Sequence, residues 1–264
     1  MRKFILLFVL VLLPFPGCDD STESKNNVNN ANNVNNSSNS NNTNNINNVN
    51  NVNNTNNINN SNNITCEEVY PVTEGTRVAL FTTDYTSGSL SVVSMDGSSV
   101  KVDSDAALVH SDALGRSFDT ELYVISRLGG DNIARFNPQT WSVATQFSTG
   151  PGTNPQDFAM VSQCKGYISL YADDQLLIVD PSVGAAEPIL GAINLFEYSD
   201  EDGSPEASFM TLDDGILMVA IQNLVNYAPQ GNGRIILVDT ATDAVSGVIA
   251  LNTPNPFTTL VRVP

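Results

Sequence analysis

One histidine, three cysteines and one short run of alternating oxygen ligands are the residues of this 264-residue sequence whose types could do chemistry. His110 stands alone, which argues against a histidine-built metal site. Ser111 and Asp112 follow it directly and are too close along the chain to form a Ser-His-Asp relay with it. It is expected in a turn near an inner strand. Asp200-x-Asp202-x-Ser204-x-Glu206 sets four oxygen donors on alternate positions, with Gly203 allowing a tight bend. Calcium takes about six to eight such oxygens, but the full twelve-residue calcium loop is missing. A solvated acidic insertion is the simpler expectation, with calcium the one cofactor to consider. Tyr85, Trp141 and Tyr227 sit where turns or strand edges are expected and could line a binding face. No Gly-rich phosphate loop, CxxC pair or HExxH motif is present, so no catalytic residue is assigned.

The cysteines are read from the export segment. Arg2 and Lys3 precede ten apolar residues, Phe4 to Leu13, followed by Pro14-Phe15-Pro16-Gly17-Cys18. A basic start, a short apolar core and a small residue before a break make a signal peptide. Ten residues are too few to cross a bilayer of ~30 Å as a helix. Phe15-Pro16-Gly17-Cys18 resembles the lipobox of bacterial lipoproteins: Gly17 and Cys18 match it, Phe15 and Pro16 depart from it. The resemblance implies that Cys18 becomes the first mature residue and carries lipid, anchoring the chain to a membrane that faces periplasm or cell surface. Asp19 resembles a signal for inner-membrane retention in some bacteria, so inner against outer membrane stays open. In an exported chain the two remaining cysteines, Cys66 and Cys164, are expected to form a disulfide.

Residues 19–65 form a linker. Lys25 to Thr65 runs in a near-period of three, Asn-Asn-Val, Asn-Asn-Ala, Asn-Asn-Thr, with no aromatic residue and no apolar face. Such a chain buries too little surface to offset its entropy, so it is expected to be disordered. As a flexible tether of about 40 residues it would span roughly 35 Å. Asn36-Ser37-Ser38 and Asn63-Ile64-Thr65 match glycosylation sequons, which matter only in a eukaryotic secretory pathway.

The folded domain is expected over 66–264. Of 28 acidic and 11 basic residues, three of each precede Cys66, so the domain carries the whole net charge of −17. That argues against nucleic acid and against direct contact with anionic lipid.

The strands that must position any site come next. Residues 66–264 alternate short Val/Ile/Leu/Phe/Tyr runs with Gly, Asn, Asp and Pro turns, an all-β pattern. A unit repeats. Leu122–Ser126 is followed by Asn132–Phe136 and Val143–Phe147. Tyr167–Tyr171 is followed by Leu176–Val179 and Pro188–Leu190. Ile216–Ile221 is followed by Arg234–Val238 and Val245–Leu251, and Val78–Thr82 by Leu90–Met95 and Val100–Val102. Each unit turns on Asp96, Asn137, Asp180 or Asp239, at spacings of 41, 43 and 59 residues. Asp or Asn there bonds its side chain to the turn backbone. The long last spacing is assigned to an acidic insertion, Glu197 to Ser204. Four strands every 40–50 residues is the mark of a propeller blade.

Three stretches carry a family resemblance: Tyr123-Val124-Ile125-Ser126, Asp131-Asn132-Ile133-Ala134-Arg135-Phe136, and Gly150 followed by Asn154-Pro155-Gln156-Asp157-Phe158-Ala159. They are similar to the YVTN (YncE-like) β-propeller repeats, over about 180 residues. The resemblance implies an exported domain that binds a protein or small-molecule ligand at the propeller face. Related propellers include lactonases and redox enzymes, the alternative reading. About four four-stranded blades fit this chain, against seven usual in the family. Either the propeller is incomplete or it closes on itself, in which case Thr258–Val263 pairs with Arg77–Thr83 as the inner strand of blade one.

Overall fold

A computed structural model describes residues 75–96, 99–261 and 263. Cys18, the asparagine-rich segment and Cys66 lie outside the described residues. The described chain is almost entirely β-structure. Sheet one holds β1 (Thr76–Thr83), β2 (Gly88–Asp96) and β3 (Ser99–Val109). Sheet two holds β4 (Ala113–Phe118), β5 (Glu121–Ser126), β6 (Asn132–Phe136) and β7 (Val143–Ser148). Sheet three holds β8 (Pro155–Ser162), β9 (Lys165–Leu170), β10 (Gln175–Val179) and β11 (Ile189–Asn194). Sheet four holds β12 (Ala207–Asp213), β13 (Ile216–Ile221), β16 (Arg234–Asp239) and β17 (Ala244–Ala250), with a small hairpin, β14 (Leu224–Val225) and β15 (Ala228–Pro229), set between β13 and β16. Every pairing is antiparallel between chain neighbours, that hairpin apart.

These sheets are propeller blades, and the reason lies in their second strands. In β5 every residue is buried. Its even and odd positions belong to different interfaces, because successive side chains point to opposite faces of a strand. Leu122 and Val124 pack with Leu90 and Val92 of sheet one. Tyr123 and Ile125 pack with Phe158, Ile168 and Leu170 of sheet three, with the rings of Tyr123 and Phe158 edge-on at 5.1 Å. Tyr167 of β9 turns the other way, to Leu217, Val219 and Ile221 of sheet four. Sheets two and three are therefore covered on both faces by their neighbours, and sheets one and four on one. The first strands β4, β8 and β12 lie side by side along one edge of the array.

Three of the four turn anchors behave as the repeat predicts, and the side chain of Asp96 lies outside the described residues. Asn137 Oδ1 accepts from the Gln139 and Thr140 amides, Asp180 Oδ1 from Ser182, and Asp239 Oδ1 from Ala241 and Thr242. A register shift falls just before each of them, at Arg135/Phe136, Ile178/Val179 and Leu237/Val238. The extra residue tightens the strand's twist as it leaves the sheet.

Two expectations are corrected. Thr258 to Leu260 form no strand, and among the described residues β1 pairs only with β2. Sheet one thus has three strands, and the C-terminal segment does not complete it. Thr258 and Thr259 instead line a pocket at the far blades, because the chain after β17 is tied back to sheet four. The Leu251 amide donates to the Gly233 carbonyl, and the Gly233 amide to the Thr253 carbonyl. The long spacing before Asp239 also has a second source besides the acidic insertion, the β14–β15 hairpin.

Candidate functional site

The edge where the first strands meet is tied together by one buried carboxylate. Asp157 of β8 is 1% exposed. Arg116 of β4 donates to it from Nε at 2.6 Å and from Nη2 at 3.1 Å. The Met210 amide of β12 donates to the same carboxylate at 2.8 Å, and the Phe158 amide at 2.7 Å. Three successive blades thus share one charge-assisted junction. The Arg116 guanidinium also lies over the Phe209 ring, 5.9 Å from its centre.

Next to this junction a pocket of about 650 Å³ opens at the starts of the first strands and the ends of the second. Sheet two supplies Asp112, Arg127 and Leu128, and sheet three Asn154, Gln156 and Tyr171. Sheet four supplies Phe209, Gln222, Leu224 and Tyr227, and the C-terminal segment Asn255 and Phe257. One wall is a hydrogen-bonded chain. Arg127 donates to Asp112 Oδ1 and to Gln156 Oε1, and Gln156 Nε2 donates to Asn154 Oδ1 at 3.0 Å. Asn154 is set by Asp131, whose carboxylate accepts from the Gly152 and Asn154 amides at 2.7 and 3.0 Å. This explains the spacing of Asp131, Gly150 and Asn154 in the repeat.

The opposite wall is different. Gln222 is 5% exposed. On the pocket lining, Asn255 Oδ1 is buried without a hydrogen-bond partner among the described residues, and the Gln222 backbone amide donates to the Glu206 carbonyl. Beside it Tyr227 is carried on the tip of the β14–β15 hairpin, where Asn226 and Tyr227 both take positive φ, 51° and 63°. Two such residues make the tight hairpin turn whose twist suits the flanking strands, and they push the Tyr227 ring into solvent. The Leu224 amide donates to Glu206 Oε2 at 2.7 Å, which fixes the hairpin's base. Burial pushes the Glu206 carboxyl up to about 7. The Leu224 amide opposes the shift, and the charges of Asp202 and Asp200 add to it. Burial, and then Glu206, also raise the Tyr171 hydroxyl.

The residues singled out from sequence scatter. His110 lies in the β3–β4 turn, its Nδ1 accepting from the Asp112 amide at 3.1 Å. Tyr85 and Trp141 are turn residues with positive φ, and Trp141 packs under Arg77. Of the three aromatics, Tyr227 reaches the pocket. Of the four candidate calcium ligands, Asp200 and Asp202 bond within their own loop, Ser204 and Glu206 bond outside it, and Asp200 Oδ2 is buried without a partner among the described residues. Asp200 Oδ1 accepts from the Asp202 amide and Asp202 Oδ1 from the Ser204 amide, while Ser204 Oγ donates to the Tyr171 carbonyl. Among the described residues no three His, Cys, Asp or Glu side chains gather as a metal site. Cys164 sits in the β8–β9 turn as an engaged rather than a free thiol. Sequence reasoning missed Arg116, Arg127, Gln222 and Phe257. Arg127 follows one repeat motif and Asn154 opens another, of which Asn255-Pro256-Phe257 is a weaker copy, so these were within reach of it, whereas Gln222 carries no local signal.

No protein-family model matches the sequence, and no curated protein matches it. Among solved structures, the chain is similar to Saccharomyces cerevisiae Sqt1, with a TM-score of 0.49 and 13% identity over 67% of this chain and 48% of that one. Apo AztD from Citrobacter koseri gives 0.42 and 12%, over 66% and 46%. The dihydro-heme d1 dehydrogenase NirN in complex with DHE gives 0.41 and 14%, over 67% and 38%. The chain spans less than half the length of each. The blade topology described above, rather than these likenesses, defines the fold.

Proposed function

We propose that this chain is an exported, lipid-anchored binding protein, its domain a propeller of the YVTN kind, lifted from the membrane on the asparagine-rich tether. Its ligand, a small molecule or a protein element, enters the pocket at the strand ends. One observation carries the binding reading: Asn255 Oδ1, on the pocket lining, is buried without a hydrogen-bond partner among the described residues. A buried polar group left unpaired costs about 1–3 kcal/mol, a cost a ligand hydrogen bond would remove. The anchor reading is supported by the apolar run ending at Gly17-Cys18. The rival reading, a propeller enzyme such as a lactonase or redox protein, needs a free acid or base at this mouth. Asp112, the carboxylate there, is held by Arg127.

Two measurements test the proposal. The Cys18→Ser variant should lose partition into detergent; partition as complete as that of the native protein would sink the anchor. A thermal-shift screen of the full chain against a mixed metabolite library should yield a ligand whose shift is lost in Tyr227→Ala, and a shift that survives that change would place binding elsewhere. The disulfide is proposed with the same export logic. Closing a loop of about 100 residues stabilises by up to ~4.7 kcal/mol in the chain-entropy model, and two free thiols in the denatured, unreduced mature protein would rule it out.

A further inference from the structure

The chemistry of the mouth narrows the class of ligand, an inference that rests on the binding reading above. The geometry points to a neutral carbohydrate, the end of an oligosaccharide, as what this pocket takes. Four carboxamides line it, Asn154, Gln156, Gln222 and Asn255. Gln222 is buried, and Asn255 Oδ1 is buried and unpaired among the described residues. A carboxamide both donates and accepts. The ligand group that matches it at several points is one that also does both, the hydroxyl. The mouth's one cation and one carboxylate, Arg127 and Asp112, neutralise each other, so the wall presents no net charge to a ligand.

The other ligand classes fit less well. A phosphate or carboxylate ligand approaches a chain of net charge −17 and finds Arg127 already engaged. A cation meets that same arginine. A wholly apolar ligand would seal Asn255 Oδ1 away from water with nothing to bond. Two exposed rings complete the match. Tyr227 is 81% exposed on its hairpin and Phe257 is 70% exposed on the C-terminal segment. Aromatic faces at a mouth rich in hydrogen-bonding groups suit a pyranose, which shows C–H groups on its ring face and hydroxyls around its rim. The volume of about 650 Å³ lies well inside the ~300–1,000 Å³ of small-ligand sites and admits more than one sugar ring.

The test is calorimetry on the full chain in detergent, with maltotriose, cellotriose and chitotriose as neutral probes, followed by a neutral glycan array. At least one neutral saccharide should bind. Tyr227→Ala should weaken it about tenfold, the loss of one aromatic contact, while Tyr85→Ala, in the sheet-one turn, should leave it unchanged. Asn255→Ala should abolish binding; should that variant fail to fold, exposed Tyr227 decides alone. Saccharide binding that Tyr227→Ala leaves intact overturns the assignment. If instead an amino acid, nucleotide or quaternary amine binds and Tyr227→Ala abolishes it, the carbohydrate class is wrong and the binding pocket stands. If neither the saccharides nor the mixed library gives a Tyr227-dependent ligand, the pocket reading fails as well.

Discussion

Asp157 is the residue with the most at stake. It is almost fully buried and accepts from Arg116 and from two backbone amides on two blades. Removing one partner of such a junction leaves buried donors unpaired, and Asp157→Ala should cost about 3 kcal/mol in denaturant unfolding. A loss within experimental error of zero would show that the charge is solvated by another route. Glu206 is the second. Its folded carboxyl titrates near 7, above the ordinary 4.5, so the native state holds the proton more tightly than the unfolded chain. Stability from this group is present at low pH and drains away as pH rises from about 4.5 through about 7. The Glu206→Gln variant should flatten the fall of Tm across that window, and an unchanged slope would assign the dependence to other groups. Neither residue's role was legible in the sequence, though Asp157 stood in the Asn154–Ala159 repeat motif. Arg116 and Asp157 lie 41 positions apart with no pattern joining them, and Glu206 drew notice only as a fourth oxygen after Asp200, Asp202 and Ser204.

At the scale of elements, the anchors were legible and the exceptions were not. Asn137, Asp180 and Asp239 recur because each closes the same turn with its own side chain, and local chemistry of that kind is written in consecutive residues. Asp239→Ala loses the bonds to the Ala241 and Thr242 amides and should destabilise by about 1 kcal/mol, in line with other caps of this type; calorimetry showing no change would mean the turn is held by its neighbours. Tyr123 to Ser126 were equally legible, since an unbroken apolar run is what a strand covered on both faces requires. The β14–β15 hairpin was missed because its strands are two residues each, with Pro229 in the second. Thr258–Val263 was misread for the opposite reason. Its Thr-Thr-Leu-Val composition suits a strand, but composition does not supply a neighbouring edge, and the backbone bonds of Gly233 hold the preceding chain on sheet four. The pocket could not be read at all, because its walls come from the ends of strands in three sheets and from the C-terminal segment.

At the scale of the whole molecule, sheet one differs from the rest. Ala79, Phe81, Leu90 and Val92 face sheet two, while Val78, Leu80, Met95, Val100 and Val102 leave their opposite face exposed. Exposed apolar strand faces and unpaired edges invite association. The three interface cores carry a further consequence. No apolar cluster spans more than two sheets, so apart from the Asp157 junction cohesion passes between neighbours, as in a stack. Such a stack does not come apart all at once. Opening begins at an end with one interface and travels inward, and the last blades to lose order are those clasped from both sides. Hydrogen exchange should therefore run as a gradient, with the β2 amides exchanging faster than those of β9, and a uniform rate across all four sheets would show a single cooperative unit instead. A protease working on the native protein would meet the same order and trim the molecule from its first blade.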